Sequence, residues 1–213
     1  MTPAHLDLYC ERLGPDLLAE PLNALTNLAF LYAALRVWRA AGPRLDVRLL
    51  AALLAAIGLG SALFHTFATP LAQLCDVLPI ALLQLLYLHL YLRRVVSVGP
   101  YATAAWLALY VLALAWASRT AMVLNGSLAY SPAALVLVIL GMLHYRLRAR
   151  GEVLIAALLF MVSLLARSVD LALCAQWPLG THFLWHLMNA VVLAVLLRAY
   201  QTATTATSPS AAV

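Results

Sequence analysis

About seven stretches of this chain stay apolar for close to 20 residues: Ala19 to Trp38, Leu49 to Phe67, Leu71 to Leu92, Tyr101 to Ser118, Tyr130 to Tyr145, Val153 to Leu173 and His182 to Tyr200. A helix needs about 20 apolar residues to cross the hydrocarbon of a bilayer. Backbone in lipid must satisfy its own hydrogen bonds, which leaves helices or closed barrels as spanning structures. No alternation of period two supports a barrel, so the stretches predict an all-α polytopic membrane protein, a seven-transmembrane helix bundle. With 65% hydrophobic and 10% charged residues, the chain carries too much apolar surface for one water-soluble core. The fifth stretch is the shortest, because Asn125-Gly126 reads as a turn and Ser131-Pro132 as a helix start. A single domain is expected over residues 1–200, followed by a disordered tail over 201–213 rich in Thr, Ala and Ser. No signal peptide is expected, since no basic region precedes a cleavable apolar run.

All 13 basic residues are arginine. Arg36, Arg39, Arg44, Arg48, Arg93, Arg94, Arg146, Arg148, Arg150 and Arg198 fall on one set of alternating loops and ends, and Arg12 and Arg119 on the other. By the positive-inside rule the N-terminus lies outside and the C-terminus in the cytoplasm. The net charge of +5 is then a signal of topology, and nucleic-acid binding is rejected as its explanation. Lysine-free, Ala/Leu/Arg-rich usage points to a bacterial gene and hence to the inner membrane.

This topology brings one set of polar residues to a common depth in the outer half of the membrane: Ser61, His65, Gln73, Asp76, Arg167, Asp170, His182 and His186. Ionisable groups there are costly and mark functional sites. His182 and His186, four apart, share a helix face, and His65 on a facing helix end supplies a third imidazole. Three histidines with an open position make a catalytic zinc arrangement. Phe183 follows His182, so this helix carries no glutamate base as in HExxH enzymes. Asp76 is the candidate for proton transfer, and Ser61, one turn before His65, for steadying an oxyanion. A lone His-x-x-x-His also occurs in plain interhelical hydrogen bonding; it is the convergence of five residues that points to a metal centre. Arg167 and Asp170, three apart, read first as an ion pair, and second as a support for a ligand histidine through Asp170. Tyr9, Trp177 and Trp185 read as interfacial aromatics, and His89 and His144 as interfacial polar residues at the arginine-rich end.

The segments YCERLGPDLLAEPLNALTN (Tyr9 to Asn27), GLGSALFHTFATPLAQLCDVLP (Gly58 to Pro79) and ARSVDLALC with THFLWH (Ala166 to His186) resemble, in order, the motif set of the alkaline ceramidases. These belong to a superfamily of seven-helix membrane hydrolases that includes adiponectin-receptor-like proteins. The resemblance implies an intramembrane zinc amidase that cleaves an N-acyl sphingoid lipid to a fatty acid and a free base. It places His65, His182 and His186 as zinc ligands, Asp76 as the catalytic aspartate and Ser61 as the family serine. It further implies calcium near Tyr9-Cys10-Glu11, where Glu11 and Glu20 match ligands but Leu8 and Leu13 stand in place of side-chain oxygens. Cys10 and Cys174 match paired family cysteines, which an oxidising exterior permits as a disulfide. Two alternatives stay open: hydrolysis of another acyl lipid, and a non-enzymatic seven-helix receptor. Haem is disfavoured, because His182 and His186 sit on the same side of one helix.

Overall fold

A computed structural model describes residues 5–120 and 123–205. Its described residues are helical, with no strand: α1 (Pro21–Thr26), α2 (Leu28–Ala40), α3 (Leu45–Phe67), α4 (Pro70–Arg94), α5 (Pro100–Ala117), α6 (Ser131–Arg148), α7 (Glu152–Leu173) and α8 (His182–Thr205). Each long helix packs on the next, and α8 returns to α2, closing a ring. Among the described residues six helices are long and apolar enough to cross a membrane, the fourth of these including a 3₁₀ turn, Ser127–Tyr130, that leads into α6.

The first of the seven expected spans is the exception. In place of one helix over 19–38 the chain forms α1 and α2, which meet at Asn27. The cause is local side-chain competition for helix carbonyls. Asn27 Nδ2 donates to Asn23 O (2.8 Å), and Thr26 Oγ1 to Leu22 O (2.9 Å) and Asn23 O (3.1 Å). Backbone bonds at the junction tighten, with Phe30 N reaching back only to Asn27 O. With Asn27 between them, α1 and α2 still run over 20 residues, 21–40, roughly 30 Å of rise.

The arginine-rich end is tied by Asp46, which accepts from Arg44, Arg94 and the Tyr200 hydroxyl. Arg44 also donates to Gln201 O and Thr204 Oγ1, and Gln201 Nε2 to Ala40 O. These bonds carry α8 to Thr205, into the stretch expected to be disordered; residues 206–213 lie outside the described residues. At this end His144 is buried between helices, bonded to the Tyr91 hydroxyl at 2.7 Å, whereas His89 is exposed.

Candidate active site

At the opposite end, α3 finishes where α8 begins. A tight turn through Ala68 and Thr69, with Thr69 capping α4 by accepting from Ala72 N, folds α4 back along α3. His65 occupies the last turn of α3, and His182 and His186 the first turns of α8. All three are buried, and a ring nitrogen of each lies within 4.8 Å of the others.

The outer ring nitrogens fix what the inner ones present. His65 Nδ1 is 2.5 Å from Glu20 Oε2, a carboxylate that only accepts, so this nitrogen carries the proton. His186 Nδ1 is 2.9 Å from Thr26 Oγ1, whose own proton goes to the helix carbonyls, so His186 donates here as well. Both Nε2 atoms are then bare lone pairs, and they face each other at 3.2 Å. Lone pairs at that separation repel unless a cation lies between them. Two nitrogens held 2.0–2.1 Å from a tetrahedral ion stand about 3.3 Å apart. The donor set therefore fits a metal ion, with Glu20 and Thr26 orienting two of its ligands.

His182 is held differently. Its ring stacks on Tyr9 with centroids 3.6 Å apart, and Arg167 Nη1 lies 3.4 Å from its Nδ1. Asp170 brackets its backbone: Oδ1 accepts from Thr181 N (2.6 Å) and His182 N (2.9 Å), and Oδ2 from Cys10 N (3.0 Å). A carboxylate at a helix N-terminus satisfies free amides and complements the dipole. Gly180 is at φ +63°, and a β-carbon there would stand 2.2 Å from Asp170 Oδ1. Cys10 and Cys174 are joined as a disulfide, which ties the N-terminal segment to the end of α7 at the same place.

Arg167 and Asp170 form no ion pair among the described residues, and Asp170 contacts no histidine ring; the amides ahead of α8 and Cys10 N take its carboxylate instead. Arg167 donates to the Tyr9 hydroxyl at 2.7 Å and lies over the rings of Tyr9, Tyr130 and Trp185 at 5.3 to 5.5 Å. Tyr9 and Trp185 are thus buried parts of the site, while Trp177 is exposed. Burial pushes the Tyr9 phenol well above its ordinary value, against the pull of Arg167.

Asp76 approaches from α4, beside Ser61 on α3. Gly60 permits this: a β-carbon there would stand 2.0 Å from the Cys75 carbonyl oxygen. Pro79, four residues on, has no N–H to offer that carbonyl. Asp76, Tyr9, Tyr130 and Arg167 line a cavity of about 770 Å³ whose other walls include apolar side chains of α4 and α7 together with Leu8, Phe64 and Leu114. A smaller apolar cavity of about 100 Å³ lies between Phe30, Leu83, Phe160 and Trp185. Ile80, Gln84 and Tyr130 line both. Asp76, Tyr9 and Arg167 thus face largely apolar space.

The two acids matched to calcium are otherwise engaged. Glu11 accepts from Leu22 N (2.6 Å) and Asn23 N (2.8 Å), capping α1, and Glu20 accepts from Arg12, His65 and Asn23 Nδ2. Burial would raise the Glu20 carboxyl, but hydrogen bonds from His65 and Arg12 and the positive charge of Arg12 hold it below its ordinary value. A calcium ion takes six to eight oxygens at 2.3–2.6 Å; this pocket does not fit one. Thr26 and Arg12 are the site residues that sequence reasoning missed. Thr26 has no distinguishing spacing, and Arg12 read as a loop charge.

The family model described as Ceramidase matches residues 9–211. No curated protein matches the chain.

Proposed function

This chain belongs to the ceramidase family, and from that membership we propose that it is an intramembrane, zinc-dependent amidase, hydrolysing ceramide or a ceramide-like lipid to a fatty acid and a free sphingoid base. The observation that carries zinc is the pair of bare Nε2 atoms on His65 and His186, 3.2 Å apart, with His182 beside them. A zinc ion held by these three histidines would supply Lewis acidity, activating a water and polarising the amide carbonyl. Asp76 accepts the proton of the attacking water and returns it to the leaving nitrogen as the C–N bond breaks, leaving a carboxylic acid and an amine. Ser61, beside Asp76, orients that carboxylate and offers its hydroxyl to the carbonyl oxygen once Asp76 is protonated. The apolar cavities take the hydrocarbon chains.

Arginine placement supports a cytoplasmic C-terminus, which puts the histidine end toward the outer leaflet, in a bacterium that of the inner membrane. The test is metal analysis with lipid hydrolysis. Purified protein should carry about one zinc per chain, and His186→Ala should lose the zinc together with more than 100-fold of ceramide hydrolysis. Metal-free protein that hydrolyses ceramide, or an active His186→Ala, refutes the reading.

A further inference from the structure

The cation pocket that the family resemblance leads one to expect is filled by the chain itself. Arg12 is 2% exposed, in a segment that holds no regular helix. Its Nε pairs with Glu20 Oε1, Nη1 donates to the carbonyls of Gly14 and Asp16 at 3.2 Å each, and Nη2 to the carbonyl of His65 at 2.7 Å. One carboxylate and three carbonyls thus surround a single guanidinium. These are the oxygen types a hard cation collects, but the count of four is short of what calcium takes. Leu8 and Leu13 add no oxygen, and Leu13 points away at 88% exposure. The fork geometry and permanent charge of arginine suit such a site, because its donors spread over several acceptors without deprotonating.

We propose that Arg12 is a built-in cation that replaces calcium, so that this hydrolase is organised and active without calcium. Arg12 then acts on the metal centre through two contacts, one with Glu20 and one with His65. It neutralises Glu20, whose other oxygen holds the Nδ1 proton of His65, and it grips the His65 carbonyl directly. A carboxylate behind a ligand histidine sharpens its orientation and basicity, and loss of such a partner weakens metal binding by about 10–100-fold. Arg12 is a positioning residue in this scheme. It makes no contact with the Nε2 atoms that meet between His65 and His186.

The proposal rests on the reading of the histidines as a zinc site only in its second arm. In the first, wild-type protein purified in calcium-free detergent buffer is analysed for bound calcium and melted with added CaCl₂ or MgCl₂. The expected result is no stoichiometric calcium and the same Tm in either salt; one calcium per chain, or a Tm raised by several degrees by CaCl₂ alone, overturns the proposal. In the second, zinc affinity is measured by chelator competition. Arg12→Gln should weaken it about 10–100-fold and Arg12→Lys by clearly less, since lysine keeps the charge but loses the fork. Zinc affinity equal to wild type in Arg12→Gln overturns the positioning role. Where Arg12→Gln does not fold, the lysine variant and the calcium arm decide. Wild-type protein without zinc would instead refute the metal-centre reading and leave the calcium result standing on its own.

Discussion

Gly60→Ala is the substitution by which the structure stakes most on one methyl group. The new β-carbon would stand 2.0 Å from the Cys75 carbonyl oxygen and 2.6 Å from its carbon, whereas real β-carbons essentially never come within 3.0 Å. Both partners are backbone, inside helices α3 and α4, so no side chain can swing away. The helices must part by about an ångström at this level. Ser61 and Asp76 are the next residues on each helix, and they move with it. A misplacement of about 1 Å at a reacting group can lower the rate by about 10²-fold. The three histidines lie on α3 and α8, so zinc should largely stay. The expected outcome is therefore a fall in kcat for ceramide hydrolysis of roughly 100-fold, with near-normal zinc content and helical circular dichroism. Gly99→Ala, where nothing lies within 4 Å of the added carbon, is the control and should leave kcat unchanged. A Gly60→Ala enzyme that keeps a third or more of wild-type kcat would refute the claim that this close approach sets the position of Asp76.

Two further outcomes test separate parts of the site. Asp76→Asn should retain zinc yet lose about 10²–10⁴-fold in kcat, the range of a lost proton-transfer group; turnover near wild type removes Asp76 from the mechanism. Asp170→Ala should destabilise the protein by about 0.5–2 kcal/mol through the lost cap of α8, and Cys174→Ser by about 2–4 kcal/mol through the lost cross-link. Both act on one bracket around Cys10 and Gly180, so the double variant should fall short of the sum. Strict additivity of the two Tm shifts would mean that the bracket is not a unit.

The long helices were legible because lipid imposes its own rules. A span must be about 20 residues long and apolar, and six described spans start and end within a few residues of where hydropathy puts them. The break at Asn27 was not legible, since it depends on whether Asn and Thr side chains bond their own helix or a neighbour. The histidine cluster was legible from spacing and depth together. Its supports were not: an acid at position 20 reads equally as a calcium ligand or a histidine partner, and only its neighbours decide. Here the deciding neighbour is Arg12, which hydropathy treats as a loop charge and the fold buries.

A common physical reason lies behind what the site uses. Its groups come from an N-terminal segment, the C-terminal turn of α3, the first turns of α4 and α8 and the end of α7. Helix ends carry unpaired backbone donors and acceptors that a membrane interior would otherwise penalise. Glu11 meets the free amides of α1, Asp170 those ahead of α8, and Arg12 the His65 carbonyl in the last turn of α3. The charges that close these ends are thus the same charges that hold His65 and His182 in place. Loss of one of them should therefore register in metal affinity as well as in stability, a coupling that a purely structural cap would not produce.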